Sequence, residues 1–204
     1  MAANTKKGTS ATGIISEMDR YLFGQGTHYE IYEKLGAHPM TLDGKRGVYF
    51  AVWAPHAASV SLVGDFNNWD RTAHPMQPVQ QSGIWDIFVP GVKAGDLYKF
   101  AVETSQGYTV LKADPYGNQS QLRPDNASVV ADIRYFDWTD QAWRKAHQEK
   151  KTESPMAIYE VHPGSWRKHA VENEDENGFY NYREFAHELA KYVKDMGYTH
   201  VELM

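Results

Sequence analysis

The sequence predicts a mixed fold: an antiparallel β-sandwich followed by a β-α-β unit that opens a parallel sheet. Three observations carry this expectation. Between residues 47 and 111, short runs of alternating apolar residues recur, separated by Gly, Pro and Asn turns. From residue 156 the pattern becomes an apolar run, a helical period and a second apolar run. The stretch between them holds no sustained period.

The elements follow in order. Residues 1–13 are polar, with Lys6 and Lys7 but no apolar core behind them, and read as a disordered lead rather than a secretory signal. Residues 14–40 form a helical N-terminal segment. In it Ile14, Ile15, Met18 and Leu22 lie at near-helical spacing before Gly24 and Gly26, and a second short helix is expected over Tyr29 to Leu35. The sandwich is expected over residues 41–115. Val48, Phe50 and Val52 alternate with Tyr49, Ala51 and Trp53 until Ala54-Pro55 breaks the run. Val60 and Leu62 mark the next strand, which ends in the turn-rich stretch Gly64 to Asp70. Strands are also expected over Gly83–Val89, Leu97–Glu103 and Tyr108–Leu111, with Trp53 and Trp85 in the core. Residues 116–155 read as an irregular segment, then a short polar helix capped by Thr139 or Asp140, then an exposed linker from Lys150 and Lys151 to Pro155.

Met156 to Val161 reads as a buried strand. An acidic loop, Glu172 to Gly178, precedes a helix whose apolar face is Tyr182, Phe185, Ala186, Leu189, Val193 and Met196. Asn181 with Glu184 forms a capping-box pattern, and Gly197 stands where a C′ glycine belongs. Thr199, Val201 and Leu203 start a second strand, parallel to the first through a right-handed crossover. Two parallel strands leave faces uncovered, so residues 156–204 are expected to begin a larger structure that is truncated at Met204.

Composition narrows the partners. The net charge of −5 and the lack of a basic stripe argue against nucleic acid and anionic membranes. No apolar run approaches the ~20 residues of a membrane span. The absence of Cys removes disulfides and thiolate metal sites and suits a reducing cytoplasm. Nine histidines lack ligand spacing, and Glu172, Glu174, Asp175 and Glu176 lack a calcium-loop pattern, so no metal is expected. Thirteen tyrosines and six tryptophans exceed what turns and core require, leaving some as stacking platforms for sugar rings.

Three stretches carry a family resemblance. Tyr21-Leu22-Phe23-Gly24-Gln25-Gly26 with Leu35-Gly36-Ala37-His38 resembles the opening of bacterial glycogen branching enzymes. Val52-Trp53-Ala54-Pro55, Gly64 to Asp70, His74-Pro75-Met76, Gly83-Ile84-Trp85, Pro90-Gly91, Tyr98-Lys99-Phe100 and Lys112-Ala113-Asp114-Pro115 resemble an immunoglobulin-like carbohydrate-binding module of family forty-eight. Ile158 to Trp166, Tyr182-Arg183-Glu184 and Met196 to Leu203 resemble the first strand, first helix and second strand of an α-amylase-type (β/α)₈ TIM barrel, glycoside hydrolase family thirteen. Pro163 departs from the Leu of many relatives.

The resemblance implies a retaining transglycosylase that cuts an α-1,4-glucan and passes the segment to a 6-hydroxyl. Such chemistry takes a nucleophilic carboxylate and an acid/base about 5–5.5 Å apart, without a cofactor. The family's catalytic groups follow later barrel strands, so none is assigned within residues 1–204, and this chain alone is expected to be inactive. The implied partners are glycogen, amylose or maltooligosaccharides, and the missing remainder of the barrel. Trp69, Lys99 and Tyr108 match glucan-gripping positions of related modules; the alternative is that the two aromatics pack the sandwich edge. His162 and Trp166 either border the substrate cleft or pack at its rim, and Glu160 and Glu202 are read as structural. Two other readings remain: a free-standing glycogen-binding module, and a debranching or trehalohydrolase-type relative.

Overall fold

The computed structural model describes residues 13–122, 124–134, 136–148, 154–170 and 178–204. The expected polar lead (but for Gly13), the linker around Lys150 and Lys151, and the acidic cluster Glu172, Glu174, Asp175 and Glu176 lie outside the described residues. The chain divides into two compact units, one up to Phe136 and one from Asp137.

The first unit opens with helix α1 (Glu17–Gly24). Ser16 caps it: its hydroxyl accepts from the Asp19 N–H, and the Asp19 carboxylate accepts from the Ser16 N–H at 2.8 Å. Met18 is exposed, and the buried apolar anchor is Ile15, just before the cap. The second expected helix is only a 3₁₀ turn, Ile31–Glu33. Gly36 (φ 108°) then starts strand β1 (Gly36–Leu42), which the residue pattern does not announce. Pro39 fits within it because β1 is an edge strand, where a missing N–H is tolerated.

Asp43 and Gly44, both at positive φ, turn β1 directly into β2 (Lys45–Trp53). Then come β3 (Ala57–Gly64), β4 (Gln77–Pro78), β5 (Ile84–Pro90), β6 (Leu97–Thr104), β7 (Thr109–Lys112), β8 (Gln119–Ser120) and β9 (Ser128–Val129). They form two antiparallel sheets, β1-β2-β5-β4 and β3-β6-β9-β8, with β7 also paired to β6. Between them lies a core of Val48, Phe50 and Val52 against Val60, Leu62, Tyr98 and Phe100. Tyr49 and Ala51, on the opposite face of β2, are also buried, against Ile15, Leu35, Val79 and Ile84. The N-terminal segment therefore covers the outside of the first sheet. Trp85 is partly buried as its strand position suggests, but Trp53 is 53% exposed, touching the edge of Phe23. Its place at the end of β2 leaves it at the margin of the covering segment.

Asp19 ties that segment together, meeting His28 Nε2 at 2.9 Å and Lys34 Nζ at 3.8 Å. Burial alone would raise its pKa, but hydrogen bonds from Ser16 and His28 hold it at about 2. With the folded value below the ordinary 3.8, the stabilisation is present above that value and lost as pH falls toward about 2. Acid titration by NMR is expected to loosen residues 14–28 in that window while the core signals of Phe50 and Leu62 persist. Simultaneous loss of both sets would refute a local role for Asp19.

The second unit comprises α2 (Gln141–Gln148), β10 (Ile158–Val161), α3 (Tyr182–Asp195) and β11 (His200–Leu203). Strands β10 and β11 pair in parallel, with Tyr159 opposite Val201. The Asn181 carboxamide accepts from the N–H groups of Arg183 and Glu184, and Glu184 accepts from the Asn181 N–H, which completes the expected capping box. Gly197 takes positive φ past the helix end. Val161, Phe185 and Leu189 are buried, with Tyr159, Trp166 and Val193 around them. Tyr182, Ala186 and Met196 depart from the expected face: Tyr182 is 82% exposed and the other two are also open, because two four-residue strands cover only a narrow stripe of a fourteen-residue helix, around Phe185 and Leu189. Among the described residues, no helix is long and apolar enough to cross a membrane.

Candidate functional site

The turn after β3 is built on close contact. Val63 lies opposite Lys99 and Gly64 opposite Tyr98. A Cβ on Gly64 would stand 2.2 Å from the Leu97 carbonyl oxygen, so only glycine lets β3 end this tightly on β6. The chain then winds through the 3₁₀ turn Asp65–Asn67. Asn67 holds it: Nδ2 donates to the Leu62 carbonyl (3.0 Å) and to His74 Nδ1 (2.9 Å), and Oδ1 accepts from the Gly64 N–H (3.0 Å).

Asn68 and Trp69 follow in left-handed backbone, φ 52° and 60°. That is ordinary for Asn but strained for a bulky aromatic. The surroundings over-determine it. The Trp69 N–H donates to the Gly64 carbonyl (3.0 Å), and its indole Nε1 donates to Asp65 Oδ1 (3.1 Å). The other Asp65 oxygen accepts from the Leu97 N–H at 3.4 Å. The indole is thus locked, half-buried, at one end of the second sheet.

Lys99 alternates outward between buried Tyr98 and Phe100, and its Nζ donates to Asn126 Oδ1 at 2.5 Å. Tyr108 is 55% exposed at the β6–β7 turn, where its carbonyl accepts from the Thr104 N–H. Thr104 is five residues beyond Lys99, roughly 17 Å along the strand. Trp69 thus follows the turn that leaves β3 beside the start of β6, where Lys99 lies, and the Tyr108 backbone sits at the far end of β6. Asn126 joins Lys99 although the residue pattern did not single it out. It comes from a loop 27 positions away in sequence and is positioned by long-range pairing. An aromatic face, an ammonium and a carboxamide suit binding of a neutral polyhydroxyl ligand. They include no nucleophile or acid/base pair.

The other candidates behave differently. Trp166 packs inside its own unit, edge-on to Phe185 at 5.6 Å, with its Nε1 donating to the Tyr159 hydroxyl at 2.9 Å. Exposed His162 pairs through Nδ1 with Ser165 Oγ at 2.9 Å. Glu160 and Glu202 are register partners, but both are exposed on an open two-stranded face. Among the described residues, no group of His, Cys, Asp and Glu is arranged to hold a metal.

Residues 34–117 match the family model of carbohydrate-binding module 48, the isoamylase N-terminal domain. The chain is 53% identical over 192 residues to the 1,4-alpha-glucan branching enzyme GlgB of Butyrivibrio fibrisolvens, covering 94% of this chain and 30% of that one. It is 52% identical to the enzyme of the same name from Protochlamydia amoebophila, covering 92% of this chain and 25% of that one. Among solved structures, the catalytic module of the multi-modular glycogen-degrading pneumococcal virulence factor SpuA shares the fold at TM-score 0.57 and 24% identity. That match covers 83% of this chain and 26% of the other. The chain thus spans only about a quarter to a third of the length of these curated relatives. Across 92–94% of its own length, this chain is similar to a stretch of 1,4-alpha-glucan branching enzymes that makes up a quarter to a third of them, and residues 34–117 carry the match to carbohydrate-binding module 48.

Proposed function

We propose that this chain is the glucan-binding, sandwich-led portion of a branching enzyme that forms α-1,6 branches from α-1,4-glucan. The carrying observation is identity of 52–53% to named branching enzymes over 92–94% of the chain. In this reading residues 41–115 are the binding module, and residues 156–204 contribute the first strand, helix and second strand of a (β/α)₈ barrel. The parallel pairing of β10 with β11 across α3 supports that assignment. Catalytic sites of such barrels sit at the C-terminal ends of several different strands. Two strands supply too few of those ends, and no catalytic group is assigned within residues 1–204. The purified chain is expected to leave amylose unbranched, with iodine colour unchanged and no new α-1,6 linkages. Reproducible branching would overturn the assignment.

Glucan binding is assigned to Trp69 and Lys99, with Tyr108 reached by a chain lying along β6. The locked left-handed conformation of Trp69 supports this, since strain of that kind is retained where a side chain must be presented. Maltoheptaose is expected to bind with a dissociation constant near ~1 mM, about −4 kcal/mol. Trp69→Ala is expected to weaken it at least about tenfold by losing a stacking surface worth about 1.4 kcal/mol or more. Unchanged affinity in calorimetry would move the site elsewhere. His162 and Trp166 are assigned to the rim of the barrel, with Trp166 held there by packing.

A further inference from the structure

A groove of about 440 Å³ lies on the first unit, where β1 and the 3₁₀ turn before it meet the Asp114–Asn118 turn and the segment after β9. Tyr32 and Tyr116 line it with His38, Asn118, Asp132 and Arg134. Both tyrosines reach solvent, at 58% and 37% exposure.

The walls are built rather than merely open. The Tyr116 N–H donates to Asp114 Oδ1 at 2.8 Å, and Asp114 Oδ2 accepts from the buried Tyr98 hydroxyl at 2.6 Å. Ser128 Oγ accepts from the Asp114 N–H at 2.8 Å. Gly36 passes so close beneath Tyr116 that a Cβ there would stand 3.2 Å from its carbonyl oxygen. His38 is oriented by the Leu35 carbonyl at 2.9 Å and stacks on Tyr49 at 6.4 Å. Arg134 forks onto Asp132 through two bonds of 2.8 and 2.7 Å. Two aromatic rings share the groove with the Asn118 carboxamide and with carboxylate and guanidinium groups already ordered against each other, offering flat faces for pyranose rings and paired partners for adjacent hydroxyls. Preorganisation of this kind lowers the entropy lost on binding.

We propose that this groove is a second α-glucan subsite, separate from the Trp69–Lys99 end of the other sheet. The inference rests on the reading of this unit as a glucan-binding module. Its partner is a neutral oligosaccharide, because the groove mixes both signs of charge and pairs Asp132 with Arg134.

The test titrates maltoheptaose into the 204-residue chain and follows backbone amide signals by NMR. Two separable sets of shifts are expected, one around Trp69 and Lys99 and one around Tyr32 and Tyr116. In Trp69→Ala the groove set should persist at unchanged affinity. Tyr32→Ala, a substitution at an exposed ring, should weaken the groove set at least tenfold and leave the Trp69 set intact. Loss of every shift in Trp69→Ala would overturn the second subsite while leaving the first standing. Shifts confined to the groove would do the reverse. A chain that shows no shift at all would end both.

Discussion

Phe50→Ala is expected to lower the unfolding free energy of the sandwich by about 3–5 kcal/mol, the range for removing a buried aromatic. Phe50 is fully buried in β2, where its ring lies 5.0 Å from Tyr98 and 6.2 Å from Phe66. The surrounding strands are paired on both sides, so the cavity has little room to collapse. A small domain holds about 5–15 kcal/mol in total, and the variant should approach the unfolding threshold. Phe66 belongs to the turn that leads into Trp69 and meets His74 edge-on at 5.7 Å. Loss of Phe50 should therefore also weaken maltoheptaose binding at temperatures where the variant remains folded. Urea unfolding followed by tryptophan fluorescence measures the first effect. A shift below about 1 kcal/mol would mean that the two sheets do not share the tightly packed core described above.

Asp114→Ala is expected to cost about 2–4 kcal/mol, because it strands two hydrogen-bond donors together. The Tyr98 hydroxyl is fully buried and the Tyr116 N–H is partly so, and both bond to this carboxyl group. Asp114→Asn keeps the volume and separates charge from packing. Burial pushes the Asp114 carboxyl above its ordinary value, although the bonds from Tyr98 and Tyr116 act the other way. The Tyr98 hydroxyl is raised in turn, by burial and by the carboxylate beside it. For Asp114 the folded state then holds its proton more tightly than the unfolded state. Its contribution is complete below the ordinary value of 3.8 and declines as pH rises through the raised folded value. This slope is opposite to that of Asp19. Subtracting the Asp114→Asn stability curve from the wild-type curve between pH 3 and 7 should isolate it. A difference that grows with pH would show that the carboxylate is stabilised as the anion.

The elements with strong local signals were legible from residues alone. Val60 and Leu62, the runs of β5 and β6, and the Asn181–Glu184 capping box each encode their geometry within a few positions. Gly64 to Asp70 likewise announced a turn, and Trp69 was named from that turn by resemblance. β1 is different: the Asp43-Gly44 hairpin that joins it to β2 becomes evident only from the two positive φ values.

What the sequence by itself determined is therefore the antiparallel pairing of the main strands from β2 to β7 and the strand-helix-strand order of residues 156–204. Tertiary structure alone decided which faces are covered. Alternation in Val48 to Trp53 implies one wet face, yet Tyr49 and Ala51 are buried because Ile15 and Leu35 return to cover them. Trp53 lies at the margin of that cover and is exposed despite its strand position. Tyr182 and Met196 have helical spacing but no strand beneath them. The same holds at the site, where Asn126 meets Lys99, and in the groove, where Asp114 and Gly36 hold Tyr116. Periodicity reports which way a side chain points along its own element; burial and partnership depend on what packs there, and that comes from residues tens of positions away.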